Sequence, residues 1–455
     1  MFNLIRSIYL KIFDVGNERS VRAKKNVLVK FVTTALTLLI SFIMVPIVLG
    51  FVGKVEYGIW LTISSIIAWF SYFDVGLGNG LRNKLAVALA EDDKEIANIY
   101  ISSSYALIGI ISIVMFLGFC VIANLVSWNS ILNTELIPNA ELLKIVLTVF
   151  FFFSLGFAMK TLSSILQAMQ LYAINDIIGI ITQFFGLFSI IFLINFTDGN
   201  NLFNLCLIYG SQTAIVMFFA SIYLFSTSLK DLKPNLKSVD IKRSLPLLSL
   251  GWGFFLNQIL YMIVTQSSLF IVVQLFGPAD VTEFNLAKRY MALISMLYMM
   301  VLTPFLSAFT EAYTKNDFNW IHKTMKTINF IWLTVVVITI CLILGYEVFF
   351  NFWVNGEVMP SWNLIIMLGV CGIAETYTST YTLFLNGIGI IKLQFYTLLI
   401  SAILFIPLVL LFNGFGFGLS SLVYPSILFA LFSCLIFRIQ YYKIMNGSPS
   451  GIWFK

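Results

Sequence analysis

"FGPADVTEFNLAKRYMALISMLYMMVLTPFLSAFTEAY", residues 276–313, is apolar enough to cross a bilayer yet carries Lys288 and Arg289 side by side. A cation inside a bilayer span is costly and persists where protein or water, not lipid, surrounds it. The stretch therefore predicts a span that borders a polar cavity, and a cationic cavity suits an anionic cargo. Counted from a span start near residue 282, the pair lies roughly 10 Å inside. At that depth a long side chain has two options: it lines the cavity, or it snorkels to the headgroups. Arginine grips phosphate through two parallel hydrogen bonds and lysine acts as a point charge, so the pair suits a pyrophosphate.

The rest of the chain agrees with a membrane reading. Of 455 residues, 60% are hydrophobic and 11% charged, with mean hydropathy +0.95. A soluble protein would carry about a quarter charged residues. The net charge of +6 needs no nucleic acid to explain it, because topology accounts for it. Cys120, Cys206, Cys341, Cys371 and Cys434 are scattered without C-x-x-C spacing, and His322 is the one histidine. That pattern argues against a disulfide framework, a metal site and a Ser-His-Asp triad. The spaced glycines of "DVGLGNGLRN", residues 74–83, follow no strand, so no nucleotide loop is read there. No cofactor and no enzymatic activity are expected.

Apolar runs long enough to cross a bilayer fall at about 27–51, 58–76, 98–126, 142–168, 175–195, 202–228, 245–275, 282–307, 324–346, 361–386, 392–412 and 418–443. Lipid offers an open backbone no partner, so all are expected to be helices. Basic residues orient them. With the amino terminus inside, every Lys and Arg falls on inner segments or adjoining helix ends except Lys54 and Lys144 outside, and Lys160, Lys288 and Arg289 within spans. Both termini are then cytoplasmic.

The chain also looks doubled. Gly53 and Gly277 are 224 residues apart, Asp92 and Asp317 are 225 apart, and Leu166 and Leu385 are 219 apart, each pair in similar surroundings. An even number of spans per half makes the repeat parallel. The expected layout is a cytoplasmic, interfacial amphipathic segment lying along the membrane over 1–26, six-helix lobes over 27–228 and 245–443, a basic linker over 229–244 and a cytoplasmic tail over 444–455. The fold class is all-α, with twelve transmembrane helices in two lobes around a central cavity.

Polar stripes at helical spacing mark candidate cavity walls. Asn257, Tyr261, Thr265 and Ser268 share one face of span seven, and Glu375, Thr378, Thr382 and Asn386 share one face of span ten. Span four offers Lys160, Ser164 and Gln167; Thr33, Thr37 and Ser41 of span one read better as helix packing. Three acids, Asp74, Asp176 and Glu375, are candidates for ion coupling or gating. Asp74 and Asp176 lie near span ends, where solvation explains them, and Glu375 is deeper.

"VPIVLGFVGKVEYGIWLTISSIIAWFSYFDVGLGNGLRNKLA", residues 45–86, resembles the first helical hairpin of bacterial O-antigen and capsule repeat-unit flippases. These belong to the multidrug/oligosaccharidyl-lipid/polysaccharide exporter superfamily. Residues 276–324 resemble the corresponding part of their second half. The resemblance implies two six-helix lobes in a V and alternating access. It also implies an undecaprenyl-pyrophosphate-linked oligosaccharide as cargo, handled in the inner membrane. Lys288, Arg289, Lys160, Asn257 and Tyr261 would then contact pyrophosphate or glycan. The polysaccharide polymerase and chain-length regulator would be partners, membrane lipid would surround the protein, and no nucleic acid would bind. An ion-coupled multidrug/cation antiporter of the same fold is the alternative, with acids rather than bases in its cavity. A polysaccharide polymerase is disfavoured by the short outer connections.

Overall fold

The computed structural model describes residues 18–73, 76–196, 201–447 and 451–453, without the side chains of 18–29, 31, 241, 243–258, 261 and 452. Most of the segment expected to lie along the membrane at 1–26 falls outside the described residues. No strand occurs among the described residues. The helices are α1 (Glu18–Phe70), α2 (Leu77–Ala90), α3 (Lys94–Leu125), α4 (Trp128–Leu132), α5 (Asn139–Met159), α6 (Thr161–Ala168), α7 (Tyr172–Phe196) and α8 (Asn201–Ser226). The second half follows with α9 (Ile241–Phe276), α10 (Pro278–Leu302), α11 (Phe305–Thr314), α12 (Phe318–Val354), α13 (Trp362–Gly387), α14 (Lys392–Gly414) and α15 (Val423–Met445).

Among the described residues nine helical stretches are long and apolar enough to cross a membrane, or ten if α10 and α11, bent by 40°, form one span. The expectation of twelve is not met by that count, for two reasons. The first two apolar runs form two helical segments that meet end to end at the non-helical Gly53 and so count as one stretch, α1, which ends at Phe70. The seventh lies in α9, of which Met262–Phe276 is the described apolar part. The outward faces fit lipid: Ile110, Ile113, Val114, Leu117, Val121 and Leu125 of α3 recur at helical spacing and are exposed.

The backbone itself repeats. Gly53 (φ 78°, ψ 170°) and Gly277 (φ 98°, ψ 171°) share a conformation open to glycine and strained for other residues. Asp92 (φ 55°) and Asn316 (φ 56°) are both left-handed, and the next residue in each case caps a helix. Asp93 accepts from the amide of Ile96 at 2.9 Å and Asp317 from that of Trp320 at 3.0 Å. The structural equivalents are thus Asp93 and Asp317, one residue off the sequence pairing of Asp92 with Asp317. Leu166 and Leu385 do match: their carbonyls accept from the amides of Leu171 and Ile390, in turns containing left-handed Gln170 and Gly389. Each half therefore has a glycine end, near Gly53 or Gly277, and an aspartate end, near Asp93 or Asp317.

Two compact units pack separately. The first comprises Met1–Phe51, Phe73–Val126 and Leu143–Phe254, and the second comprises Val52–Tyr72, Ser127–Leu142 and Phe255–Lys455. Two segments of the first half, containing Lys54 and Ser130, are thus built into the unit of the second. In the first unit, Leu81 and Leu85 of α2, Ile101 of α3, and Leu162 and Ile165 of α6 form a fully buried core. The linker is strapped to α3. Ser102 Oγ accepts from the amide of Asn235 at 3.0 Å, Ser103 Oγ accepts from that of Asp240 at 2.9 Å, and Asn98 Nδ2 donates to the Lys233 carbonyl at 3.0 Å. In the second unit, Phe309, Ile321, Phe384 and Tyr441 belong to an aromatic-rich core where α11, α12, α13 and α15 meet.

Candidate functional site

Pro278 occupies the first position of α10, where its missing N–H costs nothing. Counted from there, Lys288 lies ~15 Å along the helix. That is deeper than the roughly 10 Å read from the sequence, because the helix starts earlier than its apolar run. Glu375 sits halfway along α13, which packs against α10. Both side chains are exposed. They lie within electrostatic reach of each other, yet among the described residues neither makes a direct ion pair. The Lys288 ammonium lies 5.9 Å from the centre of the Phe284 ring, and the Cys371 thiol approaches Glu375 Oε1 at 3.5 Å. A mid-span ammonium and a mid-span carboxylate thus share an open face with much of their hydrogen-bonding capacity unused.

Arg289 points elsewhere, as adjacent helical residues must. It is half-buried and within electrostatic reach of Tyr57. The span-ten stripe also divides. Thr378 Oγ1 lies 2.8 Å from the carbonyl of Ala374 on its own helix and 2.9 Å from that of Ala430 on α15, so it faces a helix-to-helix contact, whereas Glu375 and Asn386 are exposed.

At the glycine end of the second unit a tight seam joins the segment after Gly53 to α10. A Cβ built on Gly58 would lie 1.7 Å from the Pro278 carbonyl oxygen, so only glycine allows this approach. Thr282 Oγ1 donates to the Lys54 carbonyl at 2.7 Å. The Lys54 ammonium lies 3.7 Å from Glu283 Oε2, and Glu283 Oε1 accepts from the amide of Ser361 at 3.3 Å. Gln274 Nε2 donates to the Ile131 carbonyl at 2.6 Å, and Asn133 Nδ2 to the Val273 carbonyl at 3.0 Å.

Sequence reading missed this seam, although Lys54 stood out as one of two basic residues on its side. It also missed Arg438, which was assigned to a helix end. Arg438 lies within α15, exposed, 5.8 Å from the Tyr442 ring and within electrostatic reach of Tyr377 and Tyr381. Tyr377 and Tyr381 share a hydroxyl hydrogen bond at 3.2 Å, and Trp332 packs 4.6 Å from the Tyr377 ring.

The other candidates are not gathered here. Lys160 belongs to the first unit, exposed at the break between α5 and α6. Asp176, also in the first unit, takes a 2.9 Å ion pair from Lys30. The side chains of Asn257 and Tyr261, and Asp74 as a whole, lie outside the described residues.

Long apolar helices with charges exposed at mid-span define a multi-pass membrane protein. The fold matches the inward-facing conformation of a multidrug resistance MATE family transporter of the MOP superfamily, with TM-score 0.70 and 15% identity over 92% of this chain and 96% of that one. Residues 23–310 match the family described as polysaccharide biosynthesis protein, and the chain belongs to that family. Two relatives are a Yersinia pseudotuberculosis protein named for O-antigen export and a Salmonella typhimurium protein named for O-antigen transport. They are 25% and 22% identical, and each alignment spans 78% of this chain and 81% of the relative.

Proposed function

We propose that this protein flips undecaprenyl-pyrophosphate-linked oligosaccharide repeat units across the bacterial inner membrane for O-antigen or capsule assembly. The family and the names of the relatives support the cargo class. The single observation that carries the reading is Lys288, an exposed ammonium halfway along a span. Such a charge offsets the cost of drawing a phosphate into a low-dielectric region: at ~4 Å and an effective dielectric of about 20 the attraction is roughly 4 kcal/mol. Arg289 supplies the second cation, and Lys160, Asn257 and Tyr261 are assigned to the sugar or the second phosphate. The prenyl tail stays in lipid.

The distribution of basic residues supports placing both termini and the linker in the cytoplasm and the glycine ends toward the periplasm. The seam of Gly58, Lys54 and Glu283 then lies toward the periplasm. Glu375 is the ion-coupling or gating group; Asp176, held by Lys30, and the span-end Asp74 rank behind it. The polymerase and the chain-length regulator would consume the flipped product, and the flippase itself performs no bond chemistry. Lys288→Ala and Arg289→Ala should each abolish surface polysaccharide at normal protein level; unchanged polysaccharide in both refutes the assignment. One observation favours a second reading, a cation antiporter: Glu375 is an acid on the open face. On that reading Glu375→Gln abolishes dye efflux and Lys288→Ala leaves it intact.

A further inference from the structure

The two mid-span charges are exposed on packed helices, and among the described residues neither closes into an ion pair. The Lys288 ammonium has three N–H donors and, among the described residues, only the edge of its contact with Phe284. The Glu375 carboxylate has room for several donors and receives one long thiol contact from Cys371. Buried or cavity charges that serve structure alone normally close into a hydrogen-bonded pair. This pair is held within reach of each other but short of contact.

Among the described residues, α10, α12 and α15 offer no substitute partner. On α10, Glu283 is engaged by Lys54 at the glycine end. On α15, Arg438 turns to Tyr442, Tyr377 and Tyr381, and Cys434 lies by Thr378. α12 meets α13 through Trp332, whose Nε1 donates to Thr376 Oγ1 at 3.2 Å, and through Thr339 beside Gly369. Among the described residues, Glu375 is thus the acid within electrostatic reach of Lys288.

From this arrangement, and resting on the anionic-cargo reading, we infer that Glu375 is a stand-in for the cargo: its carboxylate and the cargo's phosphate compete for the Lys288 ammonium. In the empty protein the lysine and the glutamate neutralise each other, so the unloaded site can reorient without an uncompensated charge in the span. An entering phosphate takes over the ammonium and frees the carboxylate; its departure restores the pair. The looseness is required by this role. A closed, fully hydrogen-bonded ion pair would exclude the cargo, and a lone lysine would hold it too long.

The account separates binding from turnover. Glu375→Gln removes the competitor, so affinity for an anion rises while the empty return slows. The test uses purified full-length protein in lipid nanodiscs, titrated with inorganic pyrophosphate by calorimetry, with surface polysaccharide measured in cells. Glu375→Gln should bind pyrophosphate about tenfold more tightly, a gain of ~1.4 kcal/mol, and support less polysaccharide than the wild type. Glu375→Asp, which keeps the charge on a shorter arm, should fall between, and covers the case in which the glutamine variant folds poorly. In a Lys288→Met background, Glu375→Gln should no longer tighten binding. Unchanged or weaker binding by Glu375→Gln and Glu375→Asp, with Lys288-dependent binding by the wild type, overturns the competition and leaves the cargo reading standing. Wild-type binding that is absent, or indifferent to Lys288→Met, overturns both.

Discussion

Gly58→Ala is the smallest change with the largest consequence expected from this structure. The added methyl would sit 1.7 Å from the Pro278 carbonyl oxygen and 2.6 Å from its carbon, both backbone atoms that cannot rotate away. Restoring ordinary contact requires the helix segment after Gly53 and the start of α10 to separate by about 1.5 Å, given that overpacked cores shift backbone rather than absorb the atom. That separation stretches the 2.7 Å bond from Thr282 to the Lys54 carbonyl beyond hydrogen-bonding range. Overpacking costs roughly 1–3 kcal/mol and the lost bond about 1 kcal/mol, so the closed seam should weaken by about 2–4 kcal/mol. Gly372→Ala is the control, because its Cβ would meet nothing within 4 Å. The assay is a thermal melt of each purified variant, together with surface polysaccharide in cells. Gly58→Ala should melt lower than the wild type and lose most polysaccharide, and Gly372→Ala should match the wild type in both. Equal melting and equal polysaccharide for Gly58→Ala would refute the tight seam.

Further outcomes follow from the same geometry. Glu283→Gln removes the charge facing Lys54, and because that pair is partly exposed it should cost about 1 kcal/mol or less of stability; its effect should appear as greater labelling of the seam by water-soluble reagents. Asp176→Asn breaks an ion pair whose lysine is largely exposed, so a melt shift equivalent to more than ~1 kcal/mol would contradict its reading as a solvated span-end pair. Thr378→Val removes the bond to the Ala430 carbonyl while keeping shape, and should destabilise by about 1–2 kcal/mol with little change in polysaccharide.

Much of the fold was legible because lipid imposes strict terms. A bilayer demands long apolar helices, and the expected runs fall on helical stretches; the runs could not reveal the breaks inside them, at Lys160 between α5 and α6 and after Leu302 between α10 and α11. The duplication was legible from Gly53 and Gly277, since a glycine-only backbone leaves a mark in the sequence. Its register slipped by one at Asp92, because Asp and Asn both adopt the left-handed turn while the cap belongs to the following residue. Lys288 stood out because charge is rare in a span, but its closeness to Glu375 is a tertiary fact that spacing cannot encode. Arg438 was hidden by its nearness to a helix end, where basic residues are common. The stripe containing Thr378 illustrates the remaining limit: threonine serves equally as helix glue and as cavity lining, and only the position of Ala430 decides between them.

The most direct measurement concerns Lys288 itself. In a background with the five cysteines replaced, Lys288→Cys is exposed to a water-soluble, membrane-impermeant thiol reagent. Rapid labelling is the result predicted for a side chain at position 288 that faces water. Labelling only by an apolar, membrane-partitioning reagent would place residue 288 against lipid and contradict the account.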